Sequence, residues 1–157
     1  MMKWVLFDFK TAKEPWFDEL SERYKNKIKP YVSFDVQHLK TVKLDRDDAE
    51  IKKKFEEKIL LTKITTDDFI ILLDEKGKKI NSIQFSAAVD KISHSGKKRG
   101  VFIIGGSYGV SETMHKRSDL IICLSDLTMN HLIAESMLLE QFYRAQTILN
   151  RIPYHNS

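Results

Sequence analysis

The sequence is poor in the residues that build disulfides, metal sites and membrane anchors. It holds one cysteine in 157 residues, which excludes an internal disulfide framework, and no Cys-x-x-Cys motif or cysteine–histidine cluster suggests zinc. No apolar run approaches the length of a membrane span. Asp8 interrupts the apolar start too early for a signal peptide. We therefore expect one cytoplasmic domain over residues 1–157, with no membrane segment and no metal.

Charge gives a weaker indication of partners than these absences do. Hydrophobic residues make up 42% of the chain and charged residues 31%, which is ordinary for a globular protein. The net charge of +4 permits an anionic partner such as RNA. Because many basic proteins bind no nucleic acid, the charge alone does not identify one.

Apolar runs alternate with helical patterns along the whole chain. Helical spacing predicts helices that start at Pro15, at residues 45–48, at Ser82 and at His131. Between them, five strands are predicted over residues 3–9, 33–39, 69–73, 101–104 and 120–124. The alternation at 33–39 is typical of an edge strand, whereas the continuous runs are typical of strands covered on both faces. The pattern predicts a Rossmann-like α/β fold, a mostly parallel sheet with helices on both faces.

Several local expectations follow from the same pattern. Ile51, Phe55 and Ile59 recur every four residues and predict the buried face of the second helix, with the surrounding charges in solvent. Residues 74–77 are expected to form a turn. Trp4 and Trp16 are expected in the core, and Ser82 is expected to cap the third helix.

Two strand ends that open into polar or glycine loops predict a crevice for a small ligand. Residues 105–109 form a glycine turn after the fourth strand, and residues 125–130 follow the fifth. The turn matches neither the P-loop nor the dinucleotide fingerprint. A tight connection with no ligand remains an alternative at this point.

The last helix and its start carry further candidates. Asn130 is a good N-cap, and His131 at the helix N-terminus is expected to be neutral, as either a functional or a packing residue. Cys123 lies in an apolar strand and is expected to be a small core residue. The helix is apolar over a wide arc, which favours a homodimer.

Four segments together resemble a known family. They are Phe-Ile-Ile-Gly-Gly-Ser-x-Gly at 102–109, Leu-Ser-x-Leu-Thr-x-x-His at 124–131, Glu-Gln-x-Tyr-Arg-Ala at 140–145 and Tyr-His at 154–155. In this order and spacing they resemble the ribosomal RNA large subunit methyltransferase H family of the SPOUT class. The resemblance extends to residues 2–10, 30–31 and 73–78, so it covers essentially the whole chain.

The resemblance implies a fold, a cofactor and a target. It implies a C-terminal trefoil knot in the α/β fold, a homodimer, and S-adenosylmethionine as the cofactor. The implied reaction methylates N3 of a pseudouridine in the 23S rRNA stem-loop at the intersubunit bridge of the ribosome. Catalytic residues would be Arg144, His155, Tyr154 and His131. The implied cofactor-binding residues are Leu73, Gly105, Leu124, Ser125, Asp126, Leu127, Thr128 and Met129.

Four positions depart from the family pattern. Glu135 stands where the family carries an arginine, Asn156 replaces a basic residue, Asn130 replaces a proline and Phe9 replaces a glycine. The loss of two cations is expected to weaken RNA binding and its salt dependence. Two alternatives therefore remain. One is a SPOUT paralogue that binds S-adenosylmethionine but acts on another RNA or lacks turnover, and the other is a flavodoxin-like nucleotide-binding domain.

Overall fold

The chain folds around one parallel sheet. The structure is a computed structural model that describes residues 1–9 and 13–156, so Lys10 of the family resemblance lies outside it. The strands are β1 (Lys3–Asp8), β2 (Phe34–His38), β3 (Asp68–Lys79), β4 (Arg99–Ile104) and β5 (Leu120–Cys123). Their order across the sheet is β2-β1-β4-β3-β5, and all the neighbouring pairs run parallel. The predicted parallel sheet and its edge strand β2 are confirmed.

Helices cover both faces of the sheet, as predicted. The helices are α1 (Pro15–Ile28), α2 (Ala49–Lys63), α3 (Ser82–Ser93), α4 (Glu112–Arg117) and α5 (His131–Leu149), and a short 3-10 helix over Arg46–Asp48 precedes α2. On one face, α5 packs against α1 and α3 over Leu6, Ile71 and Phe102. On the other, Leu60 of α2 and Met114 of α4 pack over alternate strand residues. Among the described residues, no helix combines the length and apolarity needed to cross a bilayer.

Aromatic rings fill the larger of the two cores. Trp4 stacks on Phe102 with ring centroids 5.4 Å apart, and Phe142 of α5 meets Phe102 edge-on at 5.1 Å. Burial of such rings is a large favourable contribution, and offset or edge contacts add to it. Trp4 is therefore core, as predicted. Trp16 is 45% exposed, so its predicted core position is wrong.

The buried face of α2 is not the predicted one. Ile51 is 62% exposed and Phe55 is 39% exposed, whereas Lys52, Glu56 and Leu60 are buried. The apolar residues that predicted the buried face each stand one position before the residues that are buried in the structure. The physical reason is that this face meets a polar turn, so its contacts are ionic and hydrogen-bonded as well as apolar.

Strand β3 is longer than predicted. Residues 74–77 were expected to form a turn that ends the strand, but the chain arches there and then pairs with β5 again. Both Leu73 and Lys78 are in register with Ile122. A Cβ atom on Gly77 would lie 2.5 Å from the carbonyl carbon of Ile122, so the arch approaches β5 this closely only with glycine.

The caps of two helices show how local sequence sets their ends. Asn81, and not the predicted Ser82, caps α3 by accepting a hydrogen bond from the Gln84 amide at 2.8 Å. At the end of α5, the amide of Ile152 donates to the Thr147 carbonyl and Arg151 adopts a left-handed φ of 57°. This Schellman turn reverses the chain, so the C-terminal tail folds back along α5.

An ion pair joins the first residues of β3 and β4. The guanidinium of Arg99 donates to both carboxylate oxygens of Asp68, at 2.9 and 2.8 Å, and the Asp68 side chain is 3% exposed. Burial raises the pKa of Asp68, but its hydrogen bonds with Arg99 and the Thr65 amide outweigh that effect and hold the pKa below 3.8.

Asp68→Asn is expected to lower the free energy of unfolding by about 2 kcal/mol at pH 7, because it removes one partner of a largely buried pair. The folded pKa of Asp68 is depressed, so this stabilisation is present above the unfolded pKa and is lost as pH falls through the folded pKa. Urea unfolding of both proteins across pH measures it. Asp67→Asn, at the exposed neighbouring position, is the control. A difference that stays constant from neutral to strongly acid pH would contradict this account.

Candidate functional site

A cavity lies at the carboxyl ends of β3, β4 and β5. Its volume is about 570 Å³, within the range of small-molecule sites. The arch of β3 forms one wall, the glycine turn after β4 forms another, and the loop after β5 forms a third. Because the strands are parallel, their carboxyl-terminal loops converge on this edge of the sheet.

All eight residues predicted to bind the cofactor line this one cavity. They come from three separate segments of the chain, and in each case a strand end places them there. The residues are Leu73, Gly105, Leu124, Ser125, Asp126, Leu127, Thr128 and Met129.

Local hydrogen bonds shape the loop after β5. The Cys123 thiol donates to the Ser125 carbonyl at 3.1 Å, and the Ser125 hydroxyl accepts from the Leu127 amide at 3.0 Å. Asn130 accepts from the Leu132 amide at 2.8 Å, which confirms it as the N-cap of α5. Cys123 is buried, as predicted for a core residue. These hydrogen bonds therefore give the loop a defined shape where it lines the cavity.

His131 lies in a second cavity that adjoins the first. This cavity measures about 590 Å³ and shares Ile104, Gly106 and Met129 with its neighbour. Burial lowers the pKa of His131 below 6.5, although the nearby carboxylates of Asp8 and Glu56 oppose the shift. Its Nε2 atom is buried and has no hydrogen-bond partner among residues 1–9 and 13–156. A neutral imidazole is therefore available here at neutral pH.

The imidazole of His131 is expected to titrate below 6.5 in the folded protein, because its charged form is desolvated. The unfolded chain then takes up the proton first, so the free energy of unfolding should fall as pH drops below about 6.5. Nitrogen NMR of the imidazole rings measures the midpoint, and a His131→Gln spectrum assigns the signal. A midpoint at or above 6.5 would contradict this prediction.

A buried polar cluster lies near His131. His38 Nδ1 lies 2.6 Å from Asp8 Oδ1, and the buried carboxyl group of Glu135 lies close to both residues. Burial raises the pKa of Asp8, but its contacts with His38 and Glu135 outweigh this and hold it below 3.8. Asp8, His38 and Glu135 also offer ligand atoms within 4.8 Å of one another, a spacing that a metal ion can use. The expected absence of a metal stays a prediction.

The burial of Glu135 changes the expected effect of its departure from the family pattern. We expected the loss of an arginine here to weaken contact with RNA phosphates. Glu135 is 0% exposed and faces Asp8, so in this structure the position belongs to the protein interior. Asn156 remains exposed, and the expectation of weaker RNA binding now rests on that position alone.

Arg144, Tyr154 and His155 form one cluster at the far end of α5. Arg144 donates to Glu140 through Nε at 2.8 Å, and its Nη1 lies 3.1 Å from His155 Nδ1. The guanidinium carbon of Arg144 stands 4.7 Å from the centre of the Tyr154 ring. The hydrogen bonds that Arg144 donates to Glu140 raise the pKa of Arg144, so the guanidinium stays positively charged.

His131 does not join these three residues within one chain. Arg144 lies thirteen positions after His131 in α5, which corresponds to about 20 Å at the rise of an α-helix. Arg144, Tyr154 and His155 line neither of these two cavities. The predicted catalytic set is therefore divided between the two ends of one helix.

Sequence reasoning missed the charged face of α2. Lys52 and Glu56 were expected in solvent but have side chains only 4% and 3% exposed. Glu56 accepts a hydrogen bond from the Gly106 amide at 3.2 Å, inside the glycine turn. The available signal was the spacing of Lys52, Glu56 and Leu60, which places one ion pair and one apolar residue on a single helix face.

Comparisons with known proteins agree with the family resemblance. The family described as "Predicted SPOUT methyltransferase" matches residues 2–155. Ribosomal RNA large subunit methyltransferase H of Bdellovibrio bacteriovorus is 52% identical over 155 residues, 99% of each chain. The protein of the same name from Parabacteroides distasonis is 38% identical over 90% of each chain. These matches favour the methyltransferase interpretation over the flavodoxin-like one.

Proposed function

This chain belongs to the ribosomal RNA large subunit methyltransferase H family of SPOUT methyltransferases, and on that premise we propose that it methylates N3 of a pseudouridine in 23S rRNA. The methyl donor is S-adenosylmethionine, and the substrate is the stem-loop at the intersubunit bridge of the ribosome. The enzyme acts in the cytoplasm. The trefoil knot implied by the family is part of this proposal.

The observation that carries the proposal is the cavity of about 570 Å³ at the ends of β3, β4 and β5. Methyl transfer from a sulfonium is an in-line displacement, so it needs neither a covalent intermediate nor a metal. Its acceleration comes largely from positioning the methyl group against the acceptor nitrogen. A pocket lined by the glycine turn, the loop after β5 and the arch of β3 suits that task.

Arg144 is the residue suited to the acceptor base. Attack by N3 requires loss of its proton, and a nearby cation stabilises the anion that develops. Arg144 carries a secure positive charge, held in orientation by Glu140 and flanked by Tyr154. His155 contacts the same guanidinium, where it orients the base or relays its proton.

A homodimer completes the site. Arg144 does not line the cofactor cavity and lies about 20 Å along α5 from His131, which lines the adjoining second cavity, so one chain does not place Arg144 against a methyl group bound in the cofactor cavity. A twofold-related copy brings its tail to the cavity of its partner. Exposed apolar residues at both ends of α5 and in the tail, namely Ile133, Leu149 and Ile152, supply surface for such a contact.

Two measurements test the function. Calorimetry with S-adenosylmethionine tests cofactor binding, and no detectable binding would refute the proposal. Methylation of purified ribosomes and of free rRNA, read by mass spectrometry of the nucleosides, tests the target. Product at a different nucleoside, or none from either substrate, would favour the paralogue alternative that exposed Asn156 leaves open.

A further inference from the structure

We propose that the buried pair Lys52 and Glu56 of α2 holds the glycine turn in its binding shape, so that Glu56 is a positioning residue for the cofactor. The turn comprises residues 105–109. The cofactor role rests on the proposed function of the cavity. The hold of Glu56 on the turn itself does not.

Glu56 makes its contacts with the turn from inside the protein. Its carboxylate accepts from the Gly106 amide at 3.2 Å and from the Thr41 hydroxyl, and it lies 3.5 Å from the Lys52 ammonium. Burying a charge is unfavourable unless it is paired and hydrogen-bonded. Glu56 is both paired and hydrogen-bonded, and Lys52 is paired with it, which explains how α2 tolerates a charged face in the interior.

The turn is built to admit the carboxylate. A Cβ atom on Gly106 would lie 2.5 Å from Glu56 Oε2 and 2.6 Å from Oε1. A side chain at residue 106 would therefore displace Glu56, and only glycine permits both the contact and the turn. The fit is reciprocal, because the carboxylate occupies the space that glycine leaves.

Further contacts join the turn to the same part of the chain. The Lys52 ammonium lies 5.7 Å from the centre of the Tyr108 ring, and the Tyr108 hydroxyl donates to the Leu44 carbonyl at 2.9 Å. Ser111 donates to the Glu57 carboxylate at 2.6 Å. The segment from Thr41 to Glu57 thus contacts the turn at Gly106 and Tyr108, and the chain just after the turn at Ser111.

These contacts lie behind the wall of the cofactor cavity. Gly105, Gly106 and Tyr108 line that cavity, as do Arg46 of the 3-10 helix before α2 and Lys53 of α2 itself. A loop held in its bound shape loses less conformational entropy when a ligand binds. Removal of the Gly106 contact is therefore expected to weaken cofactor binding, while the chemical step at saturating cofactor is preserved.

Two double variants isolate the contact. Lys52→Met with Glu56→Gln removes both charges but keeps an oxygen able to accept from Gly106. Lys52→Met with Glu56→Leu removes the charges and the acceptor together, so neither variant leaves an unpaired charge. We expect near-native affinity for S-adenosylmethionine in the first variant and affinity about 10-fold weaker in the second, because the Gly106 amide then has no partner. KM for the cofactor should rise in parallel, with kcat preserved.

Calorimetry and steady-state kinetics on both variants decide the cofactor role. Equal affinities in the two variants, or a loss confined to kcat, would overturn it. Amide hydrogen exchange of the unmutated protein without cofactor provides a test that needs no variant to fold. Protection at Gly106 supports the hold of Glu56 on the turn, and unprotected exchange overturns it. If the unmutated protein fails to bind S-adenosylmethionine, the proposed function and the cofactor role fall, and the exchange result stands separately.

Discussion

Arg144→Ala is expected to lower kcat for methyl transfer about 100-fold or more, because it removes the cation that stabilises the developing anion on the base. Affinity for S-adenosylmethionine should stay within a few-fold of the original, since Arg144 lies outside the cofactor cavity. His155→Ala should likewise lower kcat and leave the affinity for S-adenosylmethionine within a few-fold of the original, since His155 also lies outside the cofactor cavity. Kinetics on purified ribosomes and calorimetry with the cofactor measure both effects.

The control is Arg23→Ala, an exposed arginine of α1 that pairs with Glu19 and should leave both quantities unchanged. Equal losses of turnover and cofactor binding in Arg144→Ala would refute the assignment of catalysis to Arg144 and of cofactor binding to the cavity.

Mixing two inactive variants tests whether the site spans the dimer. Thr128→Trp places a bulky ring in the cofactor cavity, and Arg144→Ala removes the cation, so each homodimer should be inactive. If each site combines one chain's cavity with its partner's tail, exchanged heterodimers hold one intact site, and the mixture recovers about a quarter of full activity. Mixtures that stay inactive after proven subunit exchange would place the whole site in one chain.

Gly77→Ala is expected to lower the free energy of unfolding by about 3 kcal/mol and to abolish cofactor binding. The added methyl group would lie 2.5 to 2.8 Å from backbone atoms of Ile122 and Cys123, which cannot move aside as a flexible side chain would. The arch of β3 must then separate from β5, and the same arch walls the cavity. Urea unfolding and calorimetry measure the two losses.

Gly96→Ala is the matched control for this substitution. Gly96 has a φ of +84° but no atom near the position of an added Cβ, so its replacement should cost only about 1 kcal/mol and leave cofactor binding unchanged. A Gly77→Ala protein with native stability and cofactor affinity would contradict this prediction, because it would show that the backbone of β5 moves away from the added methyl group at little cost in free energy.

The sheet was predictable because the burial of a strand determines the pattern of apolar and polar residues in its sequence. The continuous run at 101–104 became the central strand β4, and the alternating run at 33–39 became the edge strand β2. The cavity followed from the same reasoning, since polar loops after neighbouring parallel strands must meet. Cofactor candidates on those loops accordingly came together in space.

The charged interior was not predictable in the same way. Apolar periodicity reports which residues avoid water, and it assigned Ile51 and Phe55 to the buried face of α2. Nothing in the pattern shows that Glu56 meets a backbone amide fifty residues away, or that Glu135 meets Asp8. The contact between Arg144 and His155 likewise depends on the Schellman turn at Arg151, where the sequence offers no glycine as a signal.

The arch of β3 has a consequence for how the protein responds to its ligand. Residues 74–76 face the cavity, and the residues that follow return to hydrogen-bond the edge strand β5. A molecule that binds against the arch therefore also stabilises the pairing of β3 with β5. Its binding free energy is added to the free energy needed to unfold β5 locally. Cofactor binding is therefore expected to slow amide hydrogen exchange along residues 120–122, which belong to β5 but do not line the cavity.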